Sequence, residues 1–169
     1  ADAATARHAW DFRLSSGAST DPISDSVGSV VATLRASGAS TPSRSADGVV
    51  LSGTGPRASS ANVGGYVELD FSNVVLGGAM TIELIVEFSA FNFKSRIFDC
   101  GSGGGTNGIF VATVGAAGTN ATEALLQWGV NSAAGVGNWT TPPSARLVLG
   151  VRYHIVPTVS AGAAGAATM

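Results

Sequence analysis

A chain of 169 residues, 45% of them hydrophobic, is long enough for one well-formed core and short for two. Only 12% of it is charged, the net charge is −2, and no cluster of Lys or Arg occurs. That argues against nucleic acid and anionic membrane surfaces as partners, because both demand concentrated positive charge.

Polarity comes instead from Ser, Thr, Asn and Gly, a habit of secreted and cell-surface β-proteins, so an extracellular or cell-surface location is expected. No segment reaches the ~18 consecutive apolar residues of a membrane-spanning helix, and no membrane insertion is expected. The opening ADAATARHAW lacks both an initiator Met and the basic-then-apolar plan of a secretory signal. It reads as the start of a processed chain or of a piece of a longer polypeptide.

The elements follow in chain order as apolar runs at 8–14, 29–35, 47–53, 66–71, 80–88, 95–101, 108–115, 124–130 and 150–156. Their period is two. In 66–71, Val67, Leu69 and Phe71 alternate with Tyr66, Glu68 and Asp70, which predicts one core face and one wet face. In 80–88, Ile82, Leu84, Val86 and Phe88 are expected inward and Thr81, Glu83, Ile85 and Glu87 outward, Ile85 being the exception in chemistry. The stretch 120–126 could hold one helical turn, because 122–126 has reasonable propensity for it, yet Ala124, Leu126, Trp128 and Val130 also alternate as a strand.

Glycines at 64–65, 77–78, 101–108 and 115–118 separate the runs and supply the positive φ of tight turns. Runs recur every ~10–15 residues without helical inserts, the rhythm of an antiparallel sandwich. The expected fold class is all-β. Residues 1–160 are expected to form it, incompletely, and 161–169, a small-residue tail without periodicity, to be disordered.

The order of motifs carries a resemblance. WDF at 10–12, Asp25-Ser26-Val27-Gly28, DGVVLSGTG from 47, YVELDF from 66, MTIELIVEF from 80, RIFDCG from 96, IFVATVG from 109 and GVRYHIV from 150 resemble the laminin-G-like domain of the concanavalin A-like lectin/glucanase superfamily. The resemblance implies a two-sheet antiparallel jelly roll. After the Tyr-His strand that family continues with a Y-V-D-G hairpin and closing strands, where this chain reads SAGAAGAATM, so the resemblance also implies a truncated domain. Pro157 interrupts the strand after His154 and is expected at an edge or bulge.

Related endo-glucanases use a strand of E-x-D-x-(x)-E type, whose alternate carboxylates face a cleft as nucleophile, assisting acid and general acid/base. Glu68 and Asp70 have the first spacing, but Ser72 and Asn73 stand where the second Glu belongs. No catalytic residue is assigned and the chain is expected not to be an enzyme. Glu83 and Glu87 read as a hydrated sheet face. Calcium is the one ion the resemblance admits, with Asp99 and Asn107 as weak candidate ligands; no other cofactor is expected. His8 and His154 are too isolated for zinc. The GSGGGTNG run is not a phosphate loop, because it lacks the G-K-[ST] ending.

Sugar recognition uses flat rings flanked by polar groups. Trp128 alternates with core residues and Trp10 accompanies Phe12, which leaves Trp139, between Asn138 and Thr140, as an expected loop-borne platform, with Tyr66, Glu68 and Asp70 as further ligand residues. Asn120 and Asn138 head N-glycosylation sequons. Cys100, alone, is expected to be a buried structural thiol. Together these readings describe a non-catalytic extracellular recognition or adhesion module whose partner is a polysaccharide or an extracellular protein. A glucanase remnant and a structural spacer are the alternatives.

Overall fold

The structure is a computed structural model that describes residues 7–14, 17, 20–37, 40–52, 64–72, 74, 79–91, 95–101, 108–114, 122–132, 135–159 and 167–168. The described residues form an all-β protein of antiparallel strands with no helix. Two compact units, Ala1–Leu76 and Gly77–Met169, divide the chain.

In the first unit, β1 (Ala32–Ser37), β2 (Ser43–Ser45), β3 (Gly48–Val50) and β4 (Gly64–Leu69) make two ladders, β1 with β4 and β2 with β3. The alternation predicted for 66–71 is observed, with Val67, Leu69 and Phe71 partly buried and Tyr66, Glu68 and Asp70 exposed. On β1, Ala32 is buried and Leu34 partly so, which matches their places opposite Leu69 and Val67. Single bridges, Trp10 to Asp25 and Ile23 to Ala32, fasten the preceding segment. The Arg44 guanidinium reaches the carbonyls of Phe12, Arg13 and Asp21, a use of one fork to satisfy several loop acceptors.

The second unit contains β5 (Met80–Thr81), β6 (Leu84–Glu87), β7 (Arg96–Gly101), β8 (Gly108–Val114), β9 (Glu123–Ser132), β10 (Gly135–Thr140), β11 (Leu147–Val148), β12 (Arg152–Ile155), β13 (Thr158–Val159) and β14 (Ala167–Thr168). Strands β7 to β10 form a meander in sequence order, with β11 also on β9 and a register shift between Arg96 and Phe98. Residues 80–88 run against 150–159 through the β6–β12 and β5–β13 ladders. Between these ladders the Ile82 amide donates to the Pro157 carbonyl at 3.0 Å. Ala167 and Thr168 pair with Val159 and Thr158.

Phe91, Val111, Ala124, Leu126, Trp128, Leu147 and Ile155 make one buried cluster, against which Ile82, Leu84, Val86 and Phe88 pack. The unit is thus sandwich-like, since side chains from the meander and from the 80–88 strand share one core. Each large apolar side chain buried there contributes ~1.5–3 kcal/mol before chain entropy is subtracted. The 80–88 alternation holds at every position, and Ile85 is 71% exposed. Of the helical turn expected within 120–126, residues 120 and 121 lie outside the described residues, and from Glu123 the chain is strand β9 instead, because Ala124, Leu126 and Trp128 bury on one face only as a strand. Pro157 is fully buried and still offers its carbonyl to the ladder.

Candidate functional site

The wet face of β1–β4 holds three of the residues predicted to meet a ligand. Burial of Ala32, Leu34, Val67 and Leu69 on the reverse fixes the roll of both strands, so Arg35, Tyr66 and Glu68 face outward. Arg35 stands opposite Tyr66, and its Nε donates to Glu68 Oε2 at 2.8 Å, while Thr33 stands opposite Glu68. Tyr66 is 46% exposed, and among the described residues it is the one aromatic ring counted with the exposed apolar side chains. Asp70, just beyond the strand, accepts from the Ser72 amide at 3.0 Å. The Ser72 hydroxyl and then its amide hold the Asp70 carboxyl below the usual range, outweighing burial. That shift runs opposite to the one a general acid needs.

Trp139 lies on β10 rather than on a loop. It stands directly opposite Trp128 and packs against the buried cluster, half-buried, because side chains paired across a ladder share a face. Asn138 and Thr140 of the same sequon are exposed on the other face of that strand. Asn120 and Asn107 lie outside the described residues.

Asp99, on β7, is an exposed partner of Arg96 at 3.4 Å, and the Arg96 guanidinium covers the Phe110 ring at 3.9 Å. Among the described residues no group of three or more His, Cys, Asp or Glu stands together as a metal site would require. Glu83 and Glu87 sit on the wet face of β6–β12. His154 Nε2 is 2.7 Å from Glu83 Oε1, and Arg152 is 4.0 Å from Glu87. Cys100 is partly buried; burial first, then the negative charge of Asp99, pushes its thiol up and away from thiolate chemistry.

One constellation escaped the sequence reading. The Asp25 side chain is 1% exposed and accepts from the amides of Ala9 (2.9 Å), Val27 (3.0 Å), Gly28 (2.9 Å) and Val30 (3.2 Å), with His8 Nδ1 at 2.6 Å. Burial, the largest influence, raises its pKa, but the amides of Ala9 and Gly28, the His8 ring and the Val27 amide together lower it. His8 in turn stacks on Trp10 with 5.8 Å between ring centres, and Phe71 meets both rings edge-on. A Cβ on Gly28 would stand 2.5 Å from His8 Nδ1 and 2.7 Å from Asp25 Oδ2, so only glycine fits that turn. Asp25 followed by Gly28 is the trace this carboxylate hub leaves in the sequence.

Compared with known proteins, the chain matches no family model, no curated protein and no solved structure.

Proposed function

We propose that this chain is a non-catalytic recognition module of laminin-G-like jelly-roll type, acting outside the cell or at its surface, with a glycan or an extracellular protein as ligand. The observation that supports it is the wet face of β1–β4, where an exposed ring and an ion pair are presented outward by a ladder whose other face, Ala32, Leu34, Val67 and Leu69, is buried or partly so. The same residues speak against glycoside hydrolysis. Ser72 and Asn73 stand in the sequence where the second Glu of a glucanase strand belongs, and Asp70 is held ionised rather than poised to give a proton.

Affinity electrophoresis through gels containing neutral and acidic polysaccharides, with calcium and with chelator, tests this reading, alongside a solid-phase assay on extracellular-matrix proteins. Retardation by one polymer, or saturable capture by one matrix protein, is the expected result. Uniform mobility and no capture from a cooperatively melting sample would remove it. Release of reducing ends from a β-glucan that disappears in Glu68→Gln would replace it with an enzyme.

A further inference from the structure

We infer that the strip formed by Tyr66, Arg35 and Glu68 is a subsite for a neutral oligosaccharide whose adjacent hydroxyls are equatorial, an assignment that rests on the recognition reading above. Three observations converge on that chemistry.

The ring comes first. Tyr66 is exposed and cannot roll inward, because Val67 and Leu69 on the opposite face are tied to Leu34 and Ala32. An exposed ring kept on the outer face of a sheet suits stacking against the apolar C–H face of a pyranose, and that face is flat only where the hydroxyls are equatorial.

The second is the neighbouring pair. Arg35 lies directly across from Tyr66, and Glu68 lies two residues further along the same face, bonded to Arg35 at 2.8 Å. Both side chains are about half exposed. An exposed pair contributes little to stability, so its groups can turn toward a ligand at small cost. A guanidinium beside a carboxylate presents donors next to acceptors, the complement of two adjacent hydroxyls, each of which both gives and accepts a hydrogen bond.

Charge is the third. Against Arg35, the single cation among the described residues of this face, stand two carboxylates: Glu68, bonded to it, and Asp70, two residues further along. A polyanion would have to approach a net negative strip and compete with Glu68 for Arg35, whereas a neutral sugar does neither.

The test is calorimetric titration of the full chain with cellohexaose and laminarihexaose as neutral probes with equatorial hydroxyls, mannohexaose, whose 2-hydroxyl is axial, as the neutral control, and a β-1,4-linked glucuronate hexamer as the acidic probe of the same ring geometry. It is run on the wild type, Tyr66→Phe and Tyr66→Ala, with melts to verify folding. The expected result is binding of cellohexaose or laminarihexaose, weakened about tenfold by Tyr66→Ala and kept by Tyr66→Phe, with mannohexaose and the acidic hexamer both binding worse. Acidic binding equal to neutral, mannohexaose bound as well as the equatorial probes, or neutral binding unmoved by Tyr66→Ala overturns the subsite and leaves the recognition reading standing. So does binding to a matrix protein alone. Binding of no saccharide and no matrix protein removes both.

Discussion

Trp139 and Trp128 face each other across β10 and β9, and both rings belong to the interior side of the meander. Trp128 is 1% exposed, and its indole Nε1 has no hydrogen-bond partner among the described residues. Trp139→Ala is therefore expected to cost about 1–3 kcal/mol of stability and Trp128→Ala about 3–5 kcal/mol. Trp128→Phe is expected to cost less than Trp128→Ala, since the lost N–H bonds nothing and most of the ring volume stays. Urea denaturation measures all three. A Trp139→Ala protein that melts as the wild type would return that ring to the surface.

Asp25 gives the first unit an acid-sensitive joint. Its folded pKa lies below the ordinary 3.8, so the stability it supplies is complete above the unfolded value and is lost as pH falls through the folded one. Asp25→Asn keeps an oxygen for some of the amides but sets an amide N–H2 against either the Val30 N–H or the others. The variant is expected to melt lower at neutral pH and to show a flatter dependence of melting temperature between about pH 5 and pH 2. A variant with an unchanged acid profile would show that the carboxylate's charge is not what the hub uses.

Gly129 marks a tight place on the other face of the meander. A Cβ there would collide with the Phe110 ring and stand 2.5 Å from Asn138 Oδ1. Gly129→Ala is expected to cost about 1–3 kcal/mol, as overpacking does, and to push Phe110 out from under Arg96. Chemical denaturation and the ring-current shifts of Phe110 neighbours report the two effects separately. A neutral result would mean that the ring has room to move.

The strands most legible in the sequence were those whose partners bury one face and wet the other. Residues 66–71 and 80–88 alternate because each covers apolar neighbours on one side only, and a period of two then appears directly in residue type. Trp139 was illegible for the opposite reason. Its neighbours Asn138, Thr140 and Thr141 are polar and two prolines follow, so the local text reads as a loop; only the pairing with β9 makes it a strand. The Asp25 hub was hidden because its donors, save His8, are backbone amides, which every residue but proline carries. Of the residues proposed to meet a ligand, Tyr66, Glu68 and Asp70 are set on one wet face by alternation, while Arg35 is brought beside them only by the register of β1 on β4.

The meander's connectivity has a kinetic consequence. Strands β7, β8, β9 and β10 each pair with the next in sequence, whereas Leu84 waits for Ile155 and Glu87 for Arg152. Closing so long a loop costs entropy before any contact repays it, so the meander should assemble first and β12 should dock late on a preformed surface. Pulse-labelled hydrogen exchange would see this as early protection of the β8 amides, flanked on both sides, and late protection at Tyr153 to Ile155. Simultaneous protection would mean the two ladders nucleate as one. If assembly is stepwise, the apolar side chains that meet in the core, Leu84 and Val86 among them, stay exposed in the intermediate, and the nascent chain is most prone to aggregate during that interval.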